Sequence, residues 1–542
     1  MFDVYIDSIV SEYKETLKKQ TEINGLSEYI DVFSCAWLFE GIKGKLLSMV
    51  ARTLINEMYL LKAEGVLRGD TSKQRYLFFD ALTKTTAFRE KIDQKYPMLK
   101  NLIDQHQNNT CSYVMEIISR FKDDKDDLEA LLNRPLTKIT DIKLGSGDSH
   151  NGGKTVALIY FGNDLAVYKP HALNGNNVLE GIIKWLSEKD RLQTPLRMQK
   201  YLPKNNYGWE KFVEYRECPS KEAVQRFYYR IGCYLAVFSS LGSTDLHYEN
   251  IIADGEYPIF VDLETLIGSK KNSGLQTILE TGLLPQISEN QLIDVDISGI
   301  TGRSGKSAKI KNIIICNDGT DQMYVKEEAA KVKNQRNIAK AKDVPVDIEL
   351  YMTMILKGFD DASVIIINNK ETYLKRLMEL VEDGSEYRTI LRHTHVYAKY
   401  LAAITHPDYL VSENKQKELL EHLEKNCAAD KDIPRITFEK ASLKRGDVPL
   451  FSCNVDSLNL YSNGEIVANE YYSVTPREAL KERINQYNEK YLKNRSLIFK
   501  SLITASNPNK EYQDGKASLK KQVETTLSNS SNIVERKIGK AV

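Results

Sequence analysis

Cysteine is sparse and unpaired in this chain. Its seven cysteines, Cys35, Cys111, Cys218, Cys233, Cys316, Cys427 and Cys453, include no CxxC pair, and their number is odd. That speaks against a disulfide framework and against a zinc site built on paired cysteines. Most are read as small buried hydrophobes. Long apolar runs are missing too: none approaches the roughly 18 residues of a membrane span. The N-terminus, MFDVYIDSIVSEYK, carries acids where a signal peptide needs a basic and then an apolar stretch. The net charge of +1 argues against a nucleic-acid footprint over the whole surface. What is left is an ordinary globular composition, 42% hydrophobic and 27% charged. Its 542 residues suffice for roughly two to four packed units. The expected compartment is the cytoplasm.

Proline is nearly absent from residues 1–135, where apolar residues recur at three-and-four spacing. This region is expected to be helical. Alternation with period two begins at ITDIKLGSGDSHNGGKTVALIYFGNDLAVYKP and predicts strand, glycine turn, strand, tight turn (Gly162-Asn163-Asp164), strand. A helix is expected over NVLEGIIKWLSEK, and a long one over 220–242. The run VIIINN, Val364 to Asn369, reads as a short strand. KEEAAKVKNQRNIAKAKD reads as a basic helix or a mobile segment, with Lys326 to Lys342 a candidate for touching peptide or phosphate. Helices are expected over 346–426, short strands over RGDVPLFSCNVDSLNLYSNGEIV, and a last helix from Pro476 to Leu502. The tail after Thr504 is polar. There is no internal repeat and no heptad array.

The chemistry concentrates at DLHYEN, Asp245 to Asn250, followed twelve residues later by Asp262 in DLE. Taken alone, the cluster could be a polar turn with an Asx cap. It lies, however, between the apolar runs VFSSLGST and YPIFVDLETL, and sites concentrate in loops on such scaffolds. Its spacing resembles that of the protein kinases: an Asp that orients or deprotonates a hydroxyl, then an Asn and a later Asp that hold Mg²⁺ against nucleotide phosphates. Two carboxylates and an amide are hard oxygen ligands, suited to Mg²⁺ rather than zinc.

The glycine segment Leu144 to Thr155 contains GGKT but is not Walker A. The glycine required five residues before Gly153 is Asp148, and the segment runs strand to strand rather than strand to helix. A glycine hairpin covering ATP phosphates through its amides, Gly147 among them, fits better. Lys169 in AVYKP closes the third strand, as the lysine of VAIK does in kinases, although it could equally be a solvated strand-end lysine. Asp148 and His150 sit inside the hairpin, expected to face the phosphates. They form a candidate proton shuttle, or a stabilising Asx turn with an exposed His. Far downstream, Arg388 and Arg392 in YRTILRHTHVY are expected to share a helix face, either salt-bridged or gripping a phosphate. Thr394 follows.

GDSHNGG, VYKP, DLHYEN and DLETL, in this order, resemble the dehydratase domain of class II lanthipeptide synthetases (LanM-type). TGLLP, DISG, NDGTDQM, RTILRHT and RGDVPLF extend the resemblance over about 135–500. It implies an α+β, kinase-like two-lobe core resembling lipid kinases, with an N-lobe at 136–215 and a C-lobe at 216–505, set between the periodic helical region at 1–135 and the polar tail at 506–542. It also implies an ATP- and Mg²⁺-dependent enzyme. That enzyme would phosphorylate Ser and Thr of a precursor peptide with a leader, then eliminate phosphate to give dehydroalanine or dehydrobutyrine. Lys169, Asp245, His247, Asn250 and Asp262 resemble the phosphorylation set, with Glu264 supporting the metal. Asp148, His150, Arg388 and Thr394 resemble the elimination set. The alternatives are a phosphotransferase that stops at the phosphopeptide and a silent kinase-like binding module.

Two features depart from the family. The residue after Lys169-Pro170, commonly Arg, is His171. The chain also ends about forty residues past the dehydratase-like region, without the zinc-dependent cyclase that usually follows. It is either cut or a stand-alone dehydratase working with a separate cyclase or none, and the short polar tail favours the latter. Export machinery is a further expected partner; nucleic acid and an integral membrane segment are not expected.

Overall fold

In the computed structural model, residues 1–269, 275–285, 297–300, 305–332, 336–346, 348–424 and 432–489 are described. The periodic N-terminal third folds as α1 (Asp3–Ile23), α2 (Ala36–Ala63), α3 (Ser72–Leu82), α4 (Thr86–Lys95) and α5 (Pro97–Leu132). Local chemistry sets the boundaries. Thr71 and Gln74 form a reciprocal capping box on α3. Pro97 opens α5, where its missing N–H costs nothing, and Asn133 closes that helix in the left-handed conformation. Along α5, Val114, Ile117, Ile118, Phe121 and Leu128 form the buried stripe.

Strands β1 (Asp141–Lys143), β2 (Ala157–Phe161), β3 (Asp164–Lys169), β4 (Tyr201–Pro203) and β5 (Gly208–Lys211) build an antiparallel sheet in the order β1-β2-β3-β5-β4. Helix α6 (Asn174–Ser187) links β3 to β4. Alternation turns Ala157, Ile159 and Phe161 inward, and they join the α1–α5 side chains in one continuous core. The sequence pattern of strand, glycine segment, strand, tight turn and strand is present as expected.

A second core surrounds α7 (Lys221–Leu241), the hairpin β6 (Ile251–Asp254) and β7 (Tyr257–Phe260), and α8 (Leu275–Glu280). The hairpin β8 (Gly305–Cys316) and β9 (Tyr324–Val332) follows, then α9 (Met352–Asn368), α10 (Lys370–Leu380) and β10 (Glu386–Arg388). Helices α11 (Thr394–Ile404), α12 (Pro407–Leu410), α13 (Glu413–Glu421) and α14 (Ile433–Lys444) return to the first core. The chain closes with β11 (Ser452–Asn454), β12 (Leu460–Ser462), β13 (Glu465–Ala468) and α15 (Pro476–Gln486), and β10–β13 form a four-stranded sheet in sequence order.

Helix α7 is buried along nearly its whole length and carries the chain into Asp245. Its packing on α9 depends on two glycines. A Cβ on Gly358 would lie 1.9 Å from the Tyr229 carbonyl oxygen, and one on Gly232 would lie 2.0 Å from that of Ile355. At the end of α7, Gly242 takes the left-handed conformation and Arg483 Nη1 donates to the Leu241 carbonyl at 2.6 Å.

Three expectations need correction. Val364 to Asn369 is not a strand: Val364–Asn368 ends α9. Ile355, Phe359, Ala362, Ile365 and Ile366 bury one helical stripe, and that burial outweighs the β preference of a Val-Ile run. Lys326–Val332 is neither helix nor loose segment but β9, in which pairing with β8 overrides good helix formers. Arg388 and Arg392 do not share a helix face, because Arg388 ends β10 opposite Ser452 and Arg392 lies in the bend that follows. The Pro476 helix is present to Gln486; its expected continuation from 490 to 502 and the tail lie outside the described residues.

Gly358→Ala is therefore expected to push α9 off α7 and cost about 3 kcal/mol. Urea unfolding should show a lowered midpoint with an unchanged slope, whereas an unchanged midpoint would mean the helices are not in backbone contact.

Candidate active site

The segment after α7 is held by backbone bonds. Thr244 N donates to Thr265 O (3.2 Å), Leu246 N to Thr281 O (2.8 Å) and Tyr248 N to Ile297 O (3.1 Å). Within this frame Asp245 is left-handed, φ +62°. Non-glycine residues rarely adopt that conformation, and it is concentrated at functional positions. Asn250 Nδ2 donates to the Asp245 carbonyl at 2.8 Å, which closes the loop. His247 Nδ1 accepts the Glu249 amide at 3.2 Å, and its Nε2 lies 3.9 Å from Asp245 Oδ1. Burial pushes the Asp245 carboxyl up to about 6; nearby His247 and Arg388 oppose the shift, whereas Asp262 and Glu264 add to it.

Lys169 is not a solvated strand-end lysine. It is 4% exposed. Its Nζ donates to the Val261 carbonyl at 2.5 Å and lies 3.8 Å from Glu210 Oε2. Burial pulls its pKa down, but Glu210, Asp262 and Glu264 outweigh that and raise it, so Lys169 stays charged. Glu210 is held in turn by Asn176 Nδ2 at 2.9 Å. Sequence reasoning missed Glu210; its only signal is an acid on the inward side of a short strand.

Asp262 and Glu264 leave β7 in a turn in which Glu264 N donates to Asp262 Oδ1 at 3.3 Å. The Glu264 side chain does not stand free. Arg388 Nη1 donates to its Oε1, and the Arg388 amide donates to its carbonyl oxygen at 2.8 Å. His171 Nε2 is 3.7 Å from Oε2. Burial would raise the Glu264 carboxyl, but Arg388 and His171 hold it down at about 2. Arg388 is driven above the ordinary arginine range by Glu264, with Asp262 and Asp245 adding to it, against the cost of its burial. Arg392 belongs elsewhere: it pairs with the fully buried Glu439, which also takes Arg435 and the Tyr397 hydroxyl.

His150 reaches this group from the glycine segment. Its Nδ1 lies 2.7 Å from the Val448 carbonyl oxygen. A carbonyl only accepts, so Nδ1 carries the proton and Nε2 the lone pair. Burial lowers the His150 pKa and Arg388 lowers it further, against the Val448 carbonyl, Glu264 and Asp148, so the ring is neutral near pH 7. Asp148 and Gly147 are exposed, with open space beside Gly147. The amides of Gly152 and Gly153 are not offered to phosphate, because they donate to the Asp447 carboxylate at 2.7 and 3.0 Å. Thr394 is half-buried at the start of α11, and among the described residues no hydrogen bond ties it to Arg388.

Asp245, Asp262, Glu264, Lys169, Arg388 and His150 thus lie within one electrostatic neighbourhood. Asn250 and Asp262 supply hard oxygen donors of the kind Mg²⁺ prefers. Among the described residues no three His, Cys, Asp or Glu side chains gather as ligands for one ion, and the Glu264 carboxylate is engaged by Arg388. No helix among them is long and apolar enough to cross a membrane.

A family model described as a domain of unknown function (DUF4135) matches residues 96–454, which contain every residue of this site. The lacticin 481/lactococcin biosynthesis protein LcnDR2 of Lactococcus lactis subsp. lactis is 30% identical over 449 residues, covering 76% of this chain and 46% of that protein. The chain therefore spans about half the length of the curated relative it matches. It belongs to the DUF4135 family, which is found in LanM-type lanthipeptide biosynthesis proteins.

Proposed function

We propose that this chain is a cytoplasmic, lanthipeptide-type dehydratase that phosphorylates Ser and Thr of a leader-bearing precursor peptide with ATP and then eliminates the phosphate. The observation that carries the reading is the Glu264–Arg388 pair, which ties the segment holding Asp262 to the strand that presents an arginine beside Asp245 and His150. In this reading β1–β5 and α6 form the upper lobe of a kinase-like core, and α7 with the β6–β7 hairpin starts the lower one.

In the first step the peptide hydroxyl oxygen attacks the γ-phosphorus of ATP, the bond to the β-phosphate oxygen breaks, and ADP leaves. Asp245 takes the hydroxyl proton, and a carboxyl at about 6 is matched to that task near neutral pH. Lys169, fixed by Glu210 and Val261, presents its charge to the nucleotide phosphates. Asn250 and Asp262 would hold Mg²⁺, which neutralises phosphate charge when bound. In the second step His150 Nε2 takes the Cα proton of the phosphorylated residue. The electron pair forms the Cα=Cβ bond, the Cβ–O bond breaks, and inorganic phosphate departs towards Arg388. A neutral imidazole and a permanently charged guanidinium suit these roles.

The two steps separate by mutation. With a co-expressed leader-bearing peptide, Arg388→Ala and His150→Ala should each slow elimination about 100-fold, so that phosphopeptide accumulates. Asp262→Ala should leave the peptide unmodified. Mass spectrometry reads all three, and normal dehydration by Arg388→Ala would remove the arginine from the phosphate site.

The pH dependence has a definite sign. Asp245 accepts a proton only when ionised, so phosphorylation is full above about pH 6. Below that it should fall about tenfold per unit. Initial rates of phosphate incorporation between pH 5 and 8 check this, and a flat profile would exclude Asp245 as the base.

A further inference from the structure

Asp447 has no role in either step above, yet it is 3% exposed and makes a specific set of bonds to the glycine segment. Its position follows from the end of α14. Gly446 adopts φ +80°, its amide donates to Leu443 O at 3.0 Å, and the Asp447 amide donates to Ser442 O at 3.1 Å. That is a Schellman ending, which delivers the next residue in a fixed direction. The Asp447 carboxylate then accepts the amides of both Gly152 and Gly153. Lys45 of α2 lies within its electrostatic reach.

Those two glycines, with Asn151, are the left-handed turn that reverses the chain (φ +47°, +87° and +77°). The turn returns His150 against Lys154, with mutual backbone bonds of 2.9 and 2.8 Å. The next residue, Val448, completes the grip. Its amide donates to Ser149 O at 2.9 Å, and its carbonyl takes the His150 ring proton. Consecutive residues 447 and 448 thus fix the loop on both sides of His150 and select its tautomer.

We infer that Asp447 is a positioning residue for the elimination step, clamping the Asn151–Gly153 turn so that His150 presents Nε2 to the Cα proton. The inference rests on the role proposed for His150. Asp447 touches neither peptide nor phosphate; it acts through the loop. A displacement of the base by about 1 Å is enough to cost 10- to 100-fold in rate.

The test compares Asp447→Ala, Asp447→Asn and His150→Ala in the full chain, each co-expressed with a leader-bearing Ser/Thr peptide. Phosphopeptide and dehydrated product are followed by mass spectrometry. Asp447→Ala is expected to lower the ratio of dehydrated to phosphorylated peptide about tenfold or more, a far larger effect than on total phosphate transfer. Asp447→Asn, which keeps one oxygen acceptor and the side-chain shape, should recover part of that ratio, and it decides the matter if the alanine variant does not fold. An equal loss of both steps in either variant, or an unchanged ratio in a folded Asp447→Ala, overturns the positioning role while His150→Ala still stalls at phosphopeptide. If His150→Ala dehydrates normally, the role of His150 fails and the inference falls with it.

Discussion

The ion pair between Glu264 and Arg388 is the constraint on which the site depends. Both charges are taken out of water, where each alone would cost several kcal/mol. They remain ionised because they face each other and because the Arg388 amide also binds the Glu264 carbonyl. The pair joins the turn after β7, with Asp262 two residues away, to the end of β10. Its field reaches outward: the same guanidinium restrains the rise of the Asp245 carboxyl and helps keep His150 neutral. Burial is the larger influence on both groups cast here as bases, and the guanidinium adjusts each of them.

The rest of the architecture serves that juxtaposition. Gly232 and Gly358 let α7 and α9 touch backbone to backbone, which holds the helix that ends at Asp245. The sheet buries Lys169 against Glu210 so that the lysine enters the site charged. Helix α5 fixes the far end of the glycine segment: Lys154 Nζ lies 2.6 Å from Glu116, and the Tyr113 hydroxyl donates to Thr155 O. The N-terminal helices thus share a core with the sheet and also anchor the loop that carries His150.

Much of this was legible in the sequence because it is local. Period-two alternation marked β1–β3, three-and-four spacing marked α1–α5, and the spacing of Asp245, Asn250 and Asp262 marked a loop that short-range bonds close. Partnerships made across the chain were not legible. Glu210 carries no local signal, and Asp447 meets Gly153 across 294 residues of sequence. Arg392 looked like the twin of Arg388 because four-residue spacing suggests a helix; the chain is extended and then bent there, and buried Glu439 claims that side chain. The helical fate of Val364–Asn368 was hidden for a related reason, since the run is too short to show its period without the residues before it.

In the proposed function one site performs two successive reactions. Its most direct measurement is a time course by mass spectrometry of a leader-bearing Ser/Thr peptide with the unaltered protein, ATP and Mg²⁺. A phosphate adduct is expected to rise and then decay as the dehydrated residue appears, both on the same side chains. A phosphate adduct that persists, or loss of water with no phosphorylated intermediate at any time, would contradict it.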